Sequence, residues 1–336
     1  MFKTLTATVI FSLALSGTAN AATYDDAVDN AQAGDYKAAF ADFKLLTDQS
    51  DADIQYNLGN MYRNGQGVHQ DYEEAIKWYI KAADQGYALA QFTLGDLYRK
   101  GEGVSQNHVT AVTWYAKAAE QGHADAQYNL GNMHCNGDGV ARNDALAVKW
   151  YTKAAEQGVA FAQHNLGYMY RKGKGVPVDY VAAVKWYTEA AEQGNAKAQT
   201  NLGLMYDKGK GTLEDDSTAL KWYAKAAEQG HVKAQVRLGT IYYSGEGVAQ
   251  DYATAVKWYT KAAAQGNAKG QFNLGLMYLY CHDVKQDYAQ THLCWDRAPA
   301  DSHEKTASNR DVGMMTPSQI EQAQKLAREW APTKAN

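Results

Sequence analysis

Apolar residues recur along this chain with a helical period, and the helical segments themselves recur. From about Ala52 to Asn64, the residues Leu58, Met61 and Tyr62 fall on one face at spacings of three and four. From Tyr72 to Ala83, Ala75, Trp78, Tyr79, Ala82 and Ala83 form a broad stripe of the same period. Gly65-Gln66-Gly67-Val68 separates the two segments and Gln85-Gly86 follows them. Glycine at a helix end supplies the left-handed backbone that terminates a helix at low cost. The pattern predicts a helix hairpin.

Shifting the chain by 36 residues brings it into register with itself. Gln recurs at 55, 91, 127, 163, 199, 235 and 271, with Gly four residues later at 59, 95, 131, 167, 203, 239 and 275. Trp stands at 78, 114, 150, 186, 222 and 258, each followed by Tyr. Such regularity belongs to a stack of like units rather than to one globular core. A mid-helix glycine costs about 1 kcal/mol against alanine. Its repetition at Gly59 and the equivalent positions implies a bulky ring in the vacated space. The Trp78 series is expected to supply that ring, as core rather than as an aromatic ligand cage.

Both ends depart from the pattern. Residues 22–50 hold a hairpin without the full signature, Asp25 to Ala33, a turn at Gly34, then Tyr36 to Leu46 with Ala39, Phe40 and Phe43 as its apolar positions. It is expected to cap seven 36-residue repeats spanning 51–300. The seventh decays, with Cys281 and Asp283 in place of the loop glycines, Cys294 in place of the tryptophan, and Pro299 in the second helix. Residues 301–314 read as a polar loop. Residues 315–331 read as a C-terminal capping helix, with a Thr316/Gln319 capping box, Pro317 at the first helical position, and a stripe of Ile320, Ala323, Leu326, Ala327 and Trp330. Residues 332–336 form a tail.

The first 21 residues read as a secretory signal peptide. Lys3 is followed by a mostly apolar run from Leu5 to Leu15 and by Ala19-Asn20-Ala21, which leaves Ala22 as the first mature residue. The run is shorter than the roughly 20 apolar residues of a membrane span, and nothing later is apolar enough to cross a bilayer. The expectation is a periplasmic or secreted protein without a membrane span in its mature form. Removing residues 1–21 takes away one lysine and no acid, so the net charge moves from −4 to −5. That balance gives no support for nucleic-acid binding, which needs a clustered basic surface. Three cysteines are too few for a disulfide framework and leave at least one unpaired within the chain.

The repeat resembles the Sel1-like repeat, a relative of the tetratricopeptide repeat. The resemblance rests on Ala-Gln-Tyr-Asn-Leu-Gly at 126–131, Gly-x-Gly-Val at 137–140, and Ala-Val-Lys-Trp-Tyr-x-Lys-Ala-Ala-Glu-Gln-Gly at 147–158. It implies an all-α, right-handed superhelix whose concave surface is lined by the first helices and assembles protein complexes, often at the bacterial envelope or at a host interface. On that implication the candidate contacts are positions that vary within the fixed frame. One residue after the Gln stand Tyr56, Phe92, Tyr128 and His164. Five after it stand Asn60, Asp96, Asn132, Tyr168, Leu204 and Leu276, and eight after it Arg63, Arg99, Arg171, Asp207, Tyr243 and Leu279. The arginines suit charge-assisted contacts to a partner's carboxylates. Leu204, Tyr243, Leu276 and Leu279 make the C-terminal part of the surface apolar, which suits a buried anchor.

Catalytic and metal readings find little footing. Some cysteine-rich Sel1-like proteins have been assigned β-lactamase or penicillin-binding activity, but they carry regularly spaced cysteine pairs and this chain does not. Ser302-His303-Glu304-Lys305 gives a Ser-x-x-Lys match in the polar loop, and no Lys-Thr-Gly accompanies it. Gly65-Gln66-Gly67-Val68-His69-Gln70 lacks the third glycine and the preceding strand of a dinucleotide fingerprint. His134 and Cys135 lie four repeats from Cys281, His282, His292 and Cys294, whose spacings fit no standard zinc pattern. No cofactor is expected. Cys281 and Cys294 are either free or joined in a disulfide that braces the degenerate unit. The expected function is a non-catalytic, monomeric scaffold for an unknown protein or peptide partner. An accessory role in peptidoglycan metabolism comes second, and a hydrolase of the penicillin-recognising type last.

Overall fold

The computed structural model describes residues 23–46, 51–279 and Ser318. The signal segment, the polar loop, the C-terminal helix, the tail, Cys281 and Cys294 lie outside these residues. The described residues form fifteen helices and no strand, and they fall into two compact units that meet between Ala118 and Ala119. The first holds α1 (Tyr24–Gln32), α2 (Tyr36–Leu45), α3 (Ala52–Asn64), α4 (Tyr72–Asp84), α5 (Ala88–Lys100) and most of α6 (His108–Glu120). The second holds α7 (Ala124–Asn136), α8 (Asp144–Glu156), α9 (Ala160–Lys172), α10 (Tyr180–Glu192), α11 (Ala196–Asp207), α12 (Asp216–Glu228), α13 (Val232–Ser244), α14 (Tyr252–Ala264) and α15 (Ala268–Leu279). From α3 to α14 each repeat gives one odd-numbered first helix and one even-numbered second helix, and α15 is the first helix of the seventh.

Helix ends are set by short-range chemistry. Gly65 closes α3 at φ 67°, a left-handed conformation that strains any residue with a Cβ. Second helices open on an acid or amide. Asp71, Asn143, Asp179, Asp215 and Asp251 each accept a backbone N–H three residues on, at 2.9–3.0 Å. Each such cap contributes about 1 kcal/mol. The second loop glycine has another task. A Cβ on Gly67 would run into the Tyr36 carbonyl of α2, and one on Gly103 into the Tyr72 side chain of α4. The α1–α2 hairpin therefore meets the first repeat as a preceding repeat would. Its apolar residues Ala27, Ala39 and Phe43 join Ile54, Leu58, Met61 and Trp78 in one buried cluster.

The ring that fills the mid-helix glycine is tyrosine, which corrects the expectation placed on tryptophan. A Cβ on Gly59 would lie 2.6 Å from the Tyr79 ring, and Gly131, Gly167, Gly203 and Gly239 meet Tyr151, Tyr187, Tyr223 and Tyr259 at 2.5–2.9 Å. These tyrosines are buried, Tyr187 completely. Tryptophan precedes tyrosine by one residue, a rotation of about 100° around the helix, and that turns it toward the neighbouring repeat. Trp186, Trp222 and Trp258 pack on the cluster that joins the preceding repeat's second helix to their own first helix, and remain half-buried. A lysine covers the outer face of the indole, as Lys81 does over Trp78 at 3.9 Å and Lys225 over Trp222 at 4.4 Å. In α10, where Glu189 replaces that lysine, Lys185 lies over Trp186 at 4.9 Å.

The recurring glutamine is a buried staple. Gln163 Nε2 donates to the Ala155 carbonyl at the end of the preceding second helix, 3.1 Å away. Its Oε1 accepts from Gln193 of its own repeat at 2.7 Å. The same pair of bonds holds Gln127, Gln199 and Gln235. The Ala155 carbonyl, which also accepts from the Gly158 N–H at 2.9 Å, thereby gains a second donor inside the stack.

These packing roles predict an order of damage. Tyr187→Ala removes a fully enclosed ring and is expected to cost about 3–5 kcal/mol, as for other large aromatic truncations. Trp186→Ala, at a half-exposed seal, is expected to cost clearly less. Urea denaturation followed by circular dichroism checks the ranking, and equal or inverted losses would refute the assignment of the ring.

A candidate protein-binding face

The first helices carry the varied side chains, and the buried tyrosines reach that face from behind. Each ring sits on its glycine and its hydroxyl emerges among the positions five and eight residues after the Gln. Tyr79 donates to Asn60 at 2.8 Å and Tyr151 to Asn132 at 2.7 Å. Tyr115 donates to Asp96. Tyr187 accepts from Arg171 at 3.3 Å, Tyr223 donates to Asp207 at 3.0 Å, and Tyr259 pairs with Thr240 at 3.3 Å. Burial pushes all six phenols above their ordinary range, so they stay protonated.

In the first unit, Tyr56 packs against Tyr79 and Tyr87 with ring centroids 5.6 and 5.3 Å apart, and Phe92 against Tyr115 at 6.0 Å. Arg63 pairs with Glu102, the residue between two loop glycines of the next repeat, at 3.0 Å. Arg99 binds the Tyr115 hydroxyl and Asp96 at 3.0 and 3.1 Å. Burial acts to raise the Asp96 carboxyl, but the hydrogen bonds from Tyr115 and Arg99 and the charges of Arg99 and Lys100 outweigh it and hold it below the usual range.

In the second unit, Tyr128 packs on Tyr151 and Phe161, each at 6.2 Å. His164 has Nδ1 3.1 Å from Asn165 Oδ1 and Nε2 3.1 Å from the Asn201 amide. That network assigns the proton to Nδ1 of a neutral ring. Burial lowers the His164 pKa from 6.5, and Lys197, His231 and Arg171 add to it. Arg171 and Lys174 lie over the Tyr168 ring at 5.5 and 5.4 Å. Leu204 is half-buried against the cluster of α12 and α13, and Leu276 against that of α14 and α15. Asp207 is buried and bound by Arg237 at 2.8 Å and Lys208 at 3.1 Å. Burial acts to raise its carboxyl, and Lys208, Tyr223 and Arg237 together bring it below 3.8. Tyr243 stays exposed with its ring 5.6 Å from Tyr252. The Leu279 side chain lies outside the described residues. Cys135 is a half-buried free thiol.

The expected contact positions thus divide between the two units, and within each they stand on adjacent first helices. All of them stand on first helices, as the repeat pattern implies, but their ties to other residues were not legible in the sequence. Arg63, Arg99 and Arg171 already have partners inside the chain. Reasoning from sequence also passed over a ladder in which the residue two after the Gln reaches back one repeat. Asn165 donates to Asn132 at 3.3 Å, Asn201 to His164, and Arg237 to Asp207 at 2.9 Å. The recurrent asparagine of the Asn-Leu-Gly run was its signal.

No curated protein sequence matches the chain. The model of the Sel1 repeat matches seven consecutive segments, 52–87, 88–123, 124–159, 160–195, 196–231, 232–267 and 268–298. A Sel1 repeat protein of Oxalobacter formigenes is 37% identical with a TM-score of 0.62, over 73% of this chain and 97% of that one. A protective antigen of uropathogenic Escherichia coli with an SLR fold is 30% identical with a TM-score of 0.46, over 91% of this chain and 84% of that one.

The titrating groups of this face predict acid sensitivity in two stages. His123, His164 and His231 have folded pKa values below 6.5, chiefly through burial. A lowered histidine means the unfolded chain takes up protons first, so stability falls as pH drops below about 6.5. Asp96 and Asp207 are held below 3.8 when folded, so their contribution is present above that value and is lost as pH falls from there through the lower folded pKa. Urea midpoints at pH 7.5, 6.0 and 5.0 should decline, and less steeply in His164→Gln. A midpoint that is flat over this range would contradict the burial of these rings.

Proposed function

The chain belongs to the Sel1 repeat family, and from that premise we propose that it is a non-catalytic scaffold or adaptor that holds a protein partner outside the cytoplasm. Sel1 repeat proteins typically mediate protein–protein interaction. The observation that carries the reading is a constant frame with a varied face. Glycine and glutamine repeat through all seven units and the tyrosine through the first six, while the first helices present different side chains from one repeat to the next. A rigid frame holding an extended, varied surface fits recognition of another chain. The location rests on residues 1–21, whose order of charge, apolar run and small residues is that of an export signal. No helix among the described residues is long and apolar enough to cross a membrane.

Expression in a Gram-negative host with a C-terminal tag tests both parts. The mature protein is expected in the periplasm or medium with Ala22 at its N-terminus, and crosslinking in envelope extract should join it to a protein. Retention of residues 1–21 would overturn the location. Cosedimentation with purified cell wall in place of protein capture would favour the peptidoglycan reading, and turnover of a chromogenic β-lactam would overturn the non-catalytic one.

A further inference from the structure

From α9 onward, the first helices of the second unit depart in charge from those before them. In α9, α11, α13 and α15 the basic residues are Arg171, Lys172, Lys197, Lys233, Arg237 and Lys269, against one acid, Asp207. Asp207 is already held by Arg237 and Lys208. In α3 and α7, by contrast, the position two before the Gln is acidic, Asp53 and Asp125. In α11, α13 and α15 it is Lys197, Lys233 and Lys269, all exposed and, among the described residues, without an ion pair. Cations are disfavoured in the first turn of a helix, where the backbone dipole is positive. Three unpaired lysines there, on consecutive first helices, do nothing for the fold.

The surroundings give the patch a shape. In α9 the same position is Phe161, 62% exposed. His231 Nδ1 lies 2.8 Å from the Thr200 hydroxyl, whose own proton goes to the Ala196 carbonyl at 2.9 Å, so the imidazole is the donor. The cross-repeat bonds Asn201 to His164 and Arg237 to Asp207 tie α9 to α11 and α11 to α13 along one face. Successive helices of a packed stack lie on the order of 10 Å apart, and an extended chain covers that distance in about three residues.

We propose that Phe161, Lys197, Lys233 and Lys269 form a docking track for an extended acidic protein segment, with carboxylates about three residues apart and an aromatic or apolar residue over Phe161. The inference rests on the scaffold reading and gives its partner a chemistry. Each carboxylate meets one lysine, and the flanking His164 and His231 add no negative charge to repel it. The partner-facing ammonium groups need no rearrangement of the fold, because among the described residues no ion pair holds them.

The test uses the mature protein and a labelled peptide with one phenylalanine followed by three glutamates at every third position in a Gly-Ser background. Fluorescence anisotropy is expected to show binding that weakens at least tenfold when NaCl rises from about 50 to about 300 mM. Lys197→Glu with Lys233→Glu should lower affinity at least tenfold and leave the circular dichroism unchanged, and the milder Lys197→Gln with Lys233→Gln should lower it in the same direction. Lys221→Glu with Lys257→Glu, the same charge change on exposed second-helix positions, should have little effect. Equal losses from both pairs, equal binding of a peptide with lysine in place of glutamate, or no binding would overturn the proposal. Equal competition by a single-stranded oligonucleotide would also overturn it, since the face would then recognise charge alone. If envelope extract yields a crosslinked partner that Lys197→Glu with Lys233→Glu still captures, the track falls and the scaffold reading stands. If the peptide binds through these lysines and no protein is captured, the scaffold reading falls instead.

Discussion

A tyrosine ring pressed onto a glycine is the contact on which the first six repeats depend. It lets two helices of a hairpin approach until a Cβ would have no room, and it encloses the largest of the fully buried side chains. The glycine loses about 1 kcal/mol of helix propensity, and the burial of an aromatic side chain outweighs that several-fold. The other recurrent features follow from keeping this contact in place. The glutamine staple closes the preceding helix, the second loop glycine lets that helix begin close by, and the aspartate caps fix where each second helix starts. The tryptophan then seals the join between repeats, with a lysine between its ring and water.

The sequence made the frame legible because period and identity coincide. A 36-residue shift aligns glutamine, glycine and the aromatic pair without a slip, and helix hairpins are what such spacing builds. The phase within the aromatic pair was not legible. Trp186 and Tyr187 are always adjacent, so any periodic argument scores them together, and the larger ring was assigned to the gap. The structure separates them by the 100° turn between neighbours. The ties of the candidate face were illegible for another reason. Glu102 lies 39 residues from Arg63 and Asp207 lies 30 from Arg237. Neither separation equals the repeat, so a comparison of equivalent positions does not pair them.

The polar atoms of the first-helix face serve the fold before they serve any partner. A buried phenol needs a hydrogen-bond partner, since an unsatisfied buried polar group costs about 1–3 kcal/mol. The tyrosine hydroxyl emerges between the positions five and eight residues after the Gln, which are one helical turn apart and share a face. One of the two must therefore be polar in each repeat, and the other is free to vary. Asn60 and Asn132 take the duty at the first position. Where that position is Tyr168, Arg171 takes it at the second, and where it is Leu204, Asp207 does.

That exchange of duty explains a variation that would otherwise look like drift. Leu204 is an apolar side chain on this face because Asp207 satisfies Tyr223, and Tyr243 is released to the surface because Thr240 pairs with Tyr259. The seventh repeat is the limiting case. Residue 295, which is 36 after Tyr259, is tryptophan and brings no phenol, and the two duty positions of that repeat, Leu276 and Leu279, are both apolar. The constraint and its release fall in the same repeat. The face is thus varied only as far as the tyrosine beneath it permits, whereas the residue two before the Gln lies outside the hydroxyl's reach. Phe161, which packs on Tyr128, and Lys197, Lys233 and Lys269 occupy that position, which owes no hydrogen bond to the tyrosine and is where a surface selected for a partner is free to depart furthest from its neighbours.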